Sequence, residues 1–96
     1  EVRAALDEMT TLLAGRNVPV YVTVDLDVLD PSEFPGTGTP EAGGISFLAL
    51  LDSLIMIMSR LNVVGADLVE LAPSLDSSGR STALACKLLR EVLLAL

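Results

Sequence analysis

Three aspartates follow a β-branched run near the start of the chain, and their types and spacing could support metal chemistry. Residues 20–24 form the run, and Asp25, Asp27 and Asp30 come directly after it. Burying unpaired charge is costly, so apolar packing does not explain Asp25 and Asp27. Successive residues of an extended strand point to opposite faces. We therefore expect these two carboxylates to point the same way, with Cα atoms roughly 6.6 Å apart.

The aspartate pair predicts a site for hard divalent cations. Carboxylate oxygens are ligands that such cations prefer, and open α/β sheets bind ligands at the carboxyl ends of their strands. A second strand, predicted over residues 62–70, ends in Glu70. A strand-helix-strand unit forms a right-handed crossover with parallel strands. We therefore expect Asp25, Asp27 and Glu70 at the same edge of the sheet.

The elements that would position these residues follow the order helix, strand, loop, helix, strand, helix. Apolar periodicity, capping residues and loop chemistry define them. This order predicts an α/β fold, with the first strand composed like one that is buried on both faces. The predicted elements are a helix ended by Gly15 at C′, a strand over 18–25, a helix from its cap Ser46 to about Arg60, a strand over 62–70, and a helix opening at Ser81 or Thr82.

Between the first strand and the second helix, the sequence predicts one helical turn and then a loop. Asp30 can be an N-cap, Pro31 fits the first helical position and Glu33 can close a capping box. A structural role for Asp30 is therefore favoured. Residues 35–44 hold several glycines, which indicate unusual φ values or a close backbone approach. No Gly-Lys-Ser/Thr sequence follows, so this is not a phosphate loop.

The composition of the chain limits the kinds of partner that it is expected to bind. Its 96 residues include 13 acidic and 6 basic ones, for a net charge of −7. This balance disfavours nucleic acid and anionic membranes, and it suits metal ions and small cations. No apolar run reaches the ~18 residues of a membrane span, and no signal-peptide pattern is present. The single cysteine, Cys86, excludes an internal disulfide and fits a reducing, cytoplasmic compartment.

Other chemistries fit the aspartates less well. An EF-hand calcium loop would need Gly where Asp30 stands and Glu where Gly36 stands. In a phosphotransferase of the haloacid-dehalogenase type, Asp25 would be the nucleophile and Asp27 the general acid. That interpretation lacks support, because the only lysine, Lys87, falls on the polar face of the last helix. A catalytic triad needs histidine, which is absent. The structural alternative is an Asp-rich turn after a strand.

Three segments resemble motifs of the ureohydrolases, the arginase and agmatinase family. Residues 23–31, Thr-Val-Asp-Leu-Asp-Val-Leu-Asp-Pro, resemble the signature S-x-D-x-D-x-x-D-P, with Thr23 where serine is usual. Residues 35–41, Pro-Gly-Thr-Gly-Thr-Pro-Glu, match the following loop in its agmatinase form. Residues 65–73, Gly-Ala-Asp-Leu-Val-Glu-Leu-Ala-Pro, resemble the later G-x-D-x-V-E-x-x-P strand. The three motifs occur in the family's order and spacing.

This resemblance, which starts at about Pro19, implies a three-layer α/β/α fold and two manganese ions that activate a shared water. Asp25 matches the carboxylate that bridges both ions, and Asp27 matches the one that binds a single ion. Glu70 matches the residue that pairs with the substrate guanidinium, and Thr39 matches a loop residue beside the substrate. The implied reaction is hydrolysis of a guanidino compound. The implied assembly is a cytoplasmic homo-oligomer, a trimer or a hexamer.

One difficulty limits what this chain is expected to do. Manganese sites of the family also use two histidines and two aspartates from upstream strands, and the sequence has no histidine. We therefore interpret residues 1–96 as the C-terminal segment of one ureohydrolase domain, with an incomplete site. Agmatine, giving putrescine and urea, is the favoured substrate from the loop at 36–41. The alternative is a non-catalytic acidic α/β module that binds a divalent cation or a partner subunit.

Overall fold

The computed structural model describes residues 2–96 and confirms the predicted order of helices and strands. Each predicted strand is present within one residue of its expected bounds, and two short 3₁₀ turns are added. The elements are α1 (Val2–Arg16), β1 (Pro19–Asp25), a 3₁₀ turn (Leu26–Val28), α2 (Phe47–Arg60), β2 (Asn62–Val69), a second 3₁₀ turn (Pro73–Leu75) and α3 (Arg80–Ala95).

The two strands pair directly and in parallel. Their register places Asp25 opposite Val69 and Thr23 opposite Asp67. One irregularity follows Val20, where β2 contributes an extra residue. Because parallel strands run in the same direction, both carboxyl ends meet at one edge of the sheet. The expected placement of the two strand ends is confirmed.

The core lies on one face of this sheet, against α2 and α3. Buried side chains from β1, the segment that follows it and the two helices form a single cluster, and partly buried side chains of β2 pack against it. The opposite face of β1 is exposed within the described residues, with 59% of Tyr21 accessible to solvent. The prediction of a strand buried on both faces is therefore wrong for this chain. The fully buried members of the core are Leu26, Leu29, Phe34 and Leu88, with Val24, Leu50, Leu54, Met58, Ala85 and Val92 around them.

The helix α1 packs mainly against α2. Two exposed ion pairs, Arg3 with Asp52 and Arg60 with Asp7, join these helices. Exposed ion pairs contribute little to stability, so this contact is weak. The helix also ends later than predicted. Gly15 lies inside it, and the left-handed C′ position belongs to Asn17 at φ 51°, a residue type that tolerates this conformation.

The favoured structural role of Asp30 is confirmed, because it caps a single turn over residues 31–33. The Asp30 carboxylate accepts hydrogen bonds from the amide and hydroxyl of Ser32, at 3.0 and 2.5 Å, and also from the amides of Gly43 and Gly44, at 3.2 Å each. The predicted capping box, however, is wrong. Glu33 accepts the amide of Phe47 at 3.2 Å, so it caps the start of α2 beside the predicted cap Ser46.

The Asp30 carboxylate thus joins the start of the loop of residues 31–44 to its end. Its hydrogen bonds lower the pKa of its carboxyl, with the Ser32 hydroxyl as the largest cause and the Gly43 and Gly44 amides as smaller ones. A carboxyl with a lowered folded-state pKa stabilises the fold above its unfolded-state pKa. That stabilisation is lost as pH falls through the folded-state value.

We expect Asp30→Asn to lower the urea midpoint of unfolding near neutral pH and to matter less in acid. The gap between wild type and variant should shrink as pH drops below 3.8, the ordinary carboxyl value. Urea unfolding at neutral pH and at about pH 3 measures the gap. A gap that stays constant with pH would contradict the assigned role of the Asp30 carboxylate.

No helix described over residues 2–96 has both the length and the apolar character that a membrane span needs.

Candidate metal and substrate site

Asp25 and Asp27 come together, although not through the predicted strand geometry. Asp25 is the last residue of β1, and Asp27 lies in the 3₁₀ turn that follows. The Asp25 carboxylate accepts the Asp27 amide at 3.1 Å and so caps this turn. The expectation of two alternate residues on one extended strand is therefore wrong. The capping bond satisfies the amide of the second residue of the turn and so stabilises the bend that follows β1.

Both carboxylates nevertheless line one open cleft of about 410 Å³. Its other walls come from the end of the glycine-containing loop, which returns to the edge of the sheet. The residues around the cleft are Asp25, Asp27, Val28, Glu41, Ala42, Gly43 and Gly44. The structure thus brings the two predicted metal residues to a common solvent-accessible space.

The return of the loop depends on a close backbone approach at Gly44. A Cβ built there would lie 2.5 Å from the Asp30 amide nitrogen and 2.6 Å from the Leu29 carbonyl carbon. The next residue, Ile45, bridges to Leu29, exchanging backbone hydrogen bonds with Val28 and Asp30. No side chain larger than hydrogen fits, so the predicted close approach is confirmed at this glycine.

Thr39 contacts a predicted metal residue directly. Its hydroxyl donates to Oδ2 of Asp27 at 3.0 Å, although the two residues are 12 positions apart. One oxygen of each aspartate is therefore used within the chain: Oδ1 of Asp25 by the Asp27 amide and Oδ2 of Asp27 by Thr39. The second oxygen of each carboxylate accepts no hydrogen bond from residues 2–96.

The carboxylates of Asp25 and Asp27 could supply some of the ligands of a manganese site, but not a complete set. Carboxylate oxygens suit manganese, and no ion pair among the described residues neutralises either aspartate. Manganese with oxygen ligands favours six-fold coordination. Over residues 2–96, however, no group of three or more histidine, cysteine, aspartate or glutamate side chains is placed to hold a metal ion.

Glu70 stands apart from the cleft residues and has an unusual backbone. It follows β2 directly, one position beyond Val69, the strand partner of Asp25. Its φ is 78°, in the left-handed region, and its side chain is exposed. Glutamate rarely adopts this conformation, which costs about 1–2 kcal/mol for an L-residue. The chain therefore leaves the strand through a strained residue.

Sequence reasoning missed a polar cluster on the exposed face of the sheet. The Asp67 carboxylate accepts the hydroxyls of Tyr21 at 2.9 Å and Thr23 at 2.5 Å. The hydrogen bond to Asp67, with smaller contributions from burial and from the negative charge, raises the pKa of Tyr21. Thr23 and Asp67 both fall in the quoted motifs, which was the available signal. Thr23 also precedes Asp25 by two residues on the same strand.

The family model described as the arginase family matches residues 1–95. The chain belongs to the arginase family. It is 56% identical over 95 residues to the agmatinase of Bacillus cereus, a match that covers 98% of this chain and 32% of that protein. The chain therefore spans about a third of the length of this relative.

Solved structures of the family share this fold. The proclavaminate amidino hydrolase of Streptomyces clavuligerus superimposes with a TM-score of 0.80 at 36% identity, over 94% of this chain and 30% of that one. The arginase of Bacillus caldovelox superimposes with a TM-score of 0.82 at 30% identity, again over 94% of this chain and 30% of that one. The predicted arginase-like α/β fold is confirmed, and the described residues form part of it.

The backbone strain at Glu70 can be tested by measuring stability, without an activity assay. Glu70→Gly should be more stable than Glu70→Ala by roughly 0.5–1 kcal/mol, because glycine avoids the left-handed penalty and loses part of the gain through chain entropy. Both variants lack the carboxylate, so the comparison isolates the backbone. Urea unfolding of the two proteins measures the difference. Equal stability, or a less stable glycine variant, would contradict the strain.

Proposed function

We propose that this segment supplies part of the active site for manganese-dependent hydrolysis of a guanidino compound, with agmatine as substrate and putrescine and urea as products. The observation that carries the proposal is the cleft at the carboxyl edge of the sheet. There Asp25 and Asp27 each keep one carboxylate oxygen free of hydrogen bonds from residues 2–96. Membership of the arginase family supports the reaction class.

Asp25 and Asp27 would hold manganese through their free oxygens. The ion, when bound, supplies Lewis-acid activation of water at neutral pH. The protein contributes orientation: the Asp27 amide fixes one carboxylate and the Thr39 hydroxyl fixes the other. Hydrogen bonds of this kind hold ligands in place and tune them. Two carboxylates do not complete a coordination shell, so further ligands would come from outside the described residues.

Glu70 would bind the substrate guanidinium. A carboxylate and a guanidinium form two parallel charge-assisted hydrogen bonds, which fix both position and orientation. Backbone strain persists where the surrounding structure enforces it, and such residues cluster at functional sites. The left-handed φ of 78° at Glu70, at the same sheet edge as Asp25, supports this role. The net charge of −7 suits a cationic substrate.

A second candidate is a non-catalytic module that binds a divalent cation. The shortage of ligands among residues 2–96 favours it, because two carboxylates alone suit weak cation binding. The two candidates differ in one measurable respect. A cation-binding module would bind manganese without releasing urea from any guanidino compound.

The deciding experiment is urea release by the complete protein that carries this segment. Agmatine, arginine, guanidinobutyrate and formiminoglutamate would be compared, after chelation and after addition of manganese. We expect manganese-dependent turnover, with agmatine giving the highest kcat/KM. No urea from any of these compounds, despite stoichiometric manganese binding, would favour the second candidate.

Three substitutions in the complete protein separate the proposed roles. Asp25→Asn should lose most bound manganese and nearly all turnover, because the family resemblance implies that this carboxylate would contact both ions. Asp27→Asn should loosen one ion and recover some activity at high manganese. Glu70→Gln should keep its manganese and lose about 10- to 100-fold in kcat/KM, the effect of a charged hydrogen bond worth ~1.5–3 kcal/mol.

Atomic emission for manganese, read beside kcat/KM, distinguishes these outcomes. Full retention of both ions in Asp25→Asn would refute its bridging role. Loss of metal in Glu70→Gln would make Glu70 a metal ligand, and an unchanged kcat/KM would remove it from the substrate site.

A further inference from the structure

Gly36 is the point where three separate segments of the chain are tied together. Its amide donates to the Ser81 hydroxyl at 2.9 Å, and its carbonyl accepts the Ala72 amide at 2.7 Å. Both Gly36 and Ser81 are buried, and Ser81 has no exposed surface. Both backbone groups of Gly36 are therefore satisfied by residues at least 36 positions away in sequence.

Ser81 is itself held by Asp76, which precedes α3. Oδ2 of Asp76 accepts the Ser81 amide at 2.9 Å and the Ser81 hydroxyl at 2.6 Å. The hydroxyl therefore donates to Asp76 and accepts from Gly36, which uses both of its functions. Gly36, Ala72, Asp76 and Ser81 are called the Gly36 clasp below.

The clasp has no room for a side chain on Gly36. A Cβ built there would lie 2.7 Å from Cβ of Ser81, 2.8 Å from its hydroxyl oxygen and 3.1 Å from Cβ of Asp76. These atoms belong to the start of α3 and the turn before it, which cannot move independently of the core residues Ala85 and Leu88. Glycine is thus required by contact and not by a left-handed φ.

The clasp lies between the two halves of the candidate site. Thr39, which donates to Asp27, is three residues after Gly36, and Glu70 is two residues before Ala72. We propose that Ser81 and Asp76 are positioning residues, which set the placement of the Thr39 loop relative to Glu70 by holding Gly36 against Ala72. This inference rests on the proposed function for its kinetic consequence.

A small displacement at this point has a large expected effect. Catalysis requires substrate and metal ligands in register, and misplacement by about 1 Å can cost roughly 100-fold in rate. The Gly36 carbonyl bond joins the two segments directly, so a shift of Gly36 changes the position of Thr39, of Glu70 or of both. A role limited to capping α3 would leave these positions unchanged.

The first test compares two serines that share the Asp76 carboxylate. Ser78 donates to Oδ1 of Asp76 through its amide at 3.1 Å and its hydroxyl at 2.6 Å, but it does not contact Gly36. In the complete protein, Ser81→Ala should lower kcat/KM by about 10- to 100-fold. The matched control Ser78→Ala should stay within about twofold of wild type. An equal loss of kcat/KM in the two variants would mean that Ser81 only caps α3, and it would overturn the positioning role.

The second test leaves every capping group intact. Gly36→Ala forces the contact with Ser81, whereas a Cβ on Gly38, in the same loop, would meet nothing within 4 Å. We expect Gly36→Ala to reproduce the kinetic loss of Ser81→Ala, and Gly38→Ala to keep wild-type values. Wild-type kcat/KM in a folded Gly36→Ala variant would overturn the proposal.

Hydrogen exchange supplies a readout that does not depend on activity. Amides 36–39 and 71–72 should exchange at least about tenfold faster in Ser81→Ala than in Ser78→Ala, with core helices unchanged. Unchanged exchange there would refute the clasp whatever the kinetics. Faster exchange in a protein whose wild type hydrolyses no guanidino compound would refute the proposed function and keep the clasp as a loop anchor. If Ser81→Ala does not fold, Gly36→Ala measured against Gly38→Ala decides by the same criteria.

Discussion

The parallel pairing of β1 with β2 determines where Asp25 and Glu70 lie. Its register sets Asp25 opposite Val69, so Glu70 leaves the sheet at the edge where the aspartates begin. A slip of one residue would reverse the faces of every side chain on the slipped strand. Val24 is buried and Val22 is partly buried against the core, and this placement disfavours such a slip. Burial of apolar side chains on one face of the sheet thus sets the register, and the register places the polar residues at the strand ends.

The acidic residues divide into two groups by how many hydrogen bonds their carboxylates accept. Asp30 and Asp76 each accept four, from amides and hydroxyls, and both pKa values are lowered by these bonds. Asp25 and Asp27 each accept one from the described residues. A saturated carboxylate has little capacity left for a cation, whereas a partly free one can still bind. This difference separates loop-forming acids from candidate ligands.

Local patterns were sufficient to predict the strands, the helix order and the Ser46 cap, because those features depend on neighbouring residues. They predicted the turn that Asp30 caps, but they were insufficient for its bonds to Gly43 and Gly44 and for the bond from Phe47 to Glu33, which join residues 13 or 14 positions apart. An N-cap motif followed by Pro35 and Gly36 cannot continue a helix beyond one turn, so its remaining polar groups bind the returning loop. The Gly36 clasp was unpredictable for the same reason, since it joins three distant segments.

Glu70 shows most clearly where local rules fail. Nothing in its residue type favours a left-handed φ of 78°, so the sequence predicted a continued strand. The conformation persists because both flanks are fixed: Val69 is paired with Asp25, and the Ala72 amide donates to Gly36 at 2.7 Å. Because Val69 and Ala72 are both held and lie three positions apart, the chain between them has to turn sharply. The Ala72–Gly36 hydrogen bond therefore helps to hold Glu70 in this conformation, and it joins the segment that carries Glu70 directly to the loop that carries Thr39.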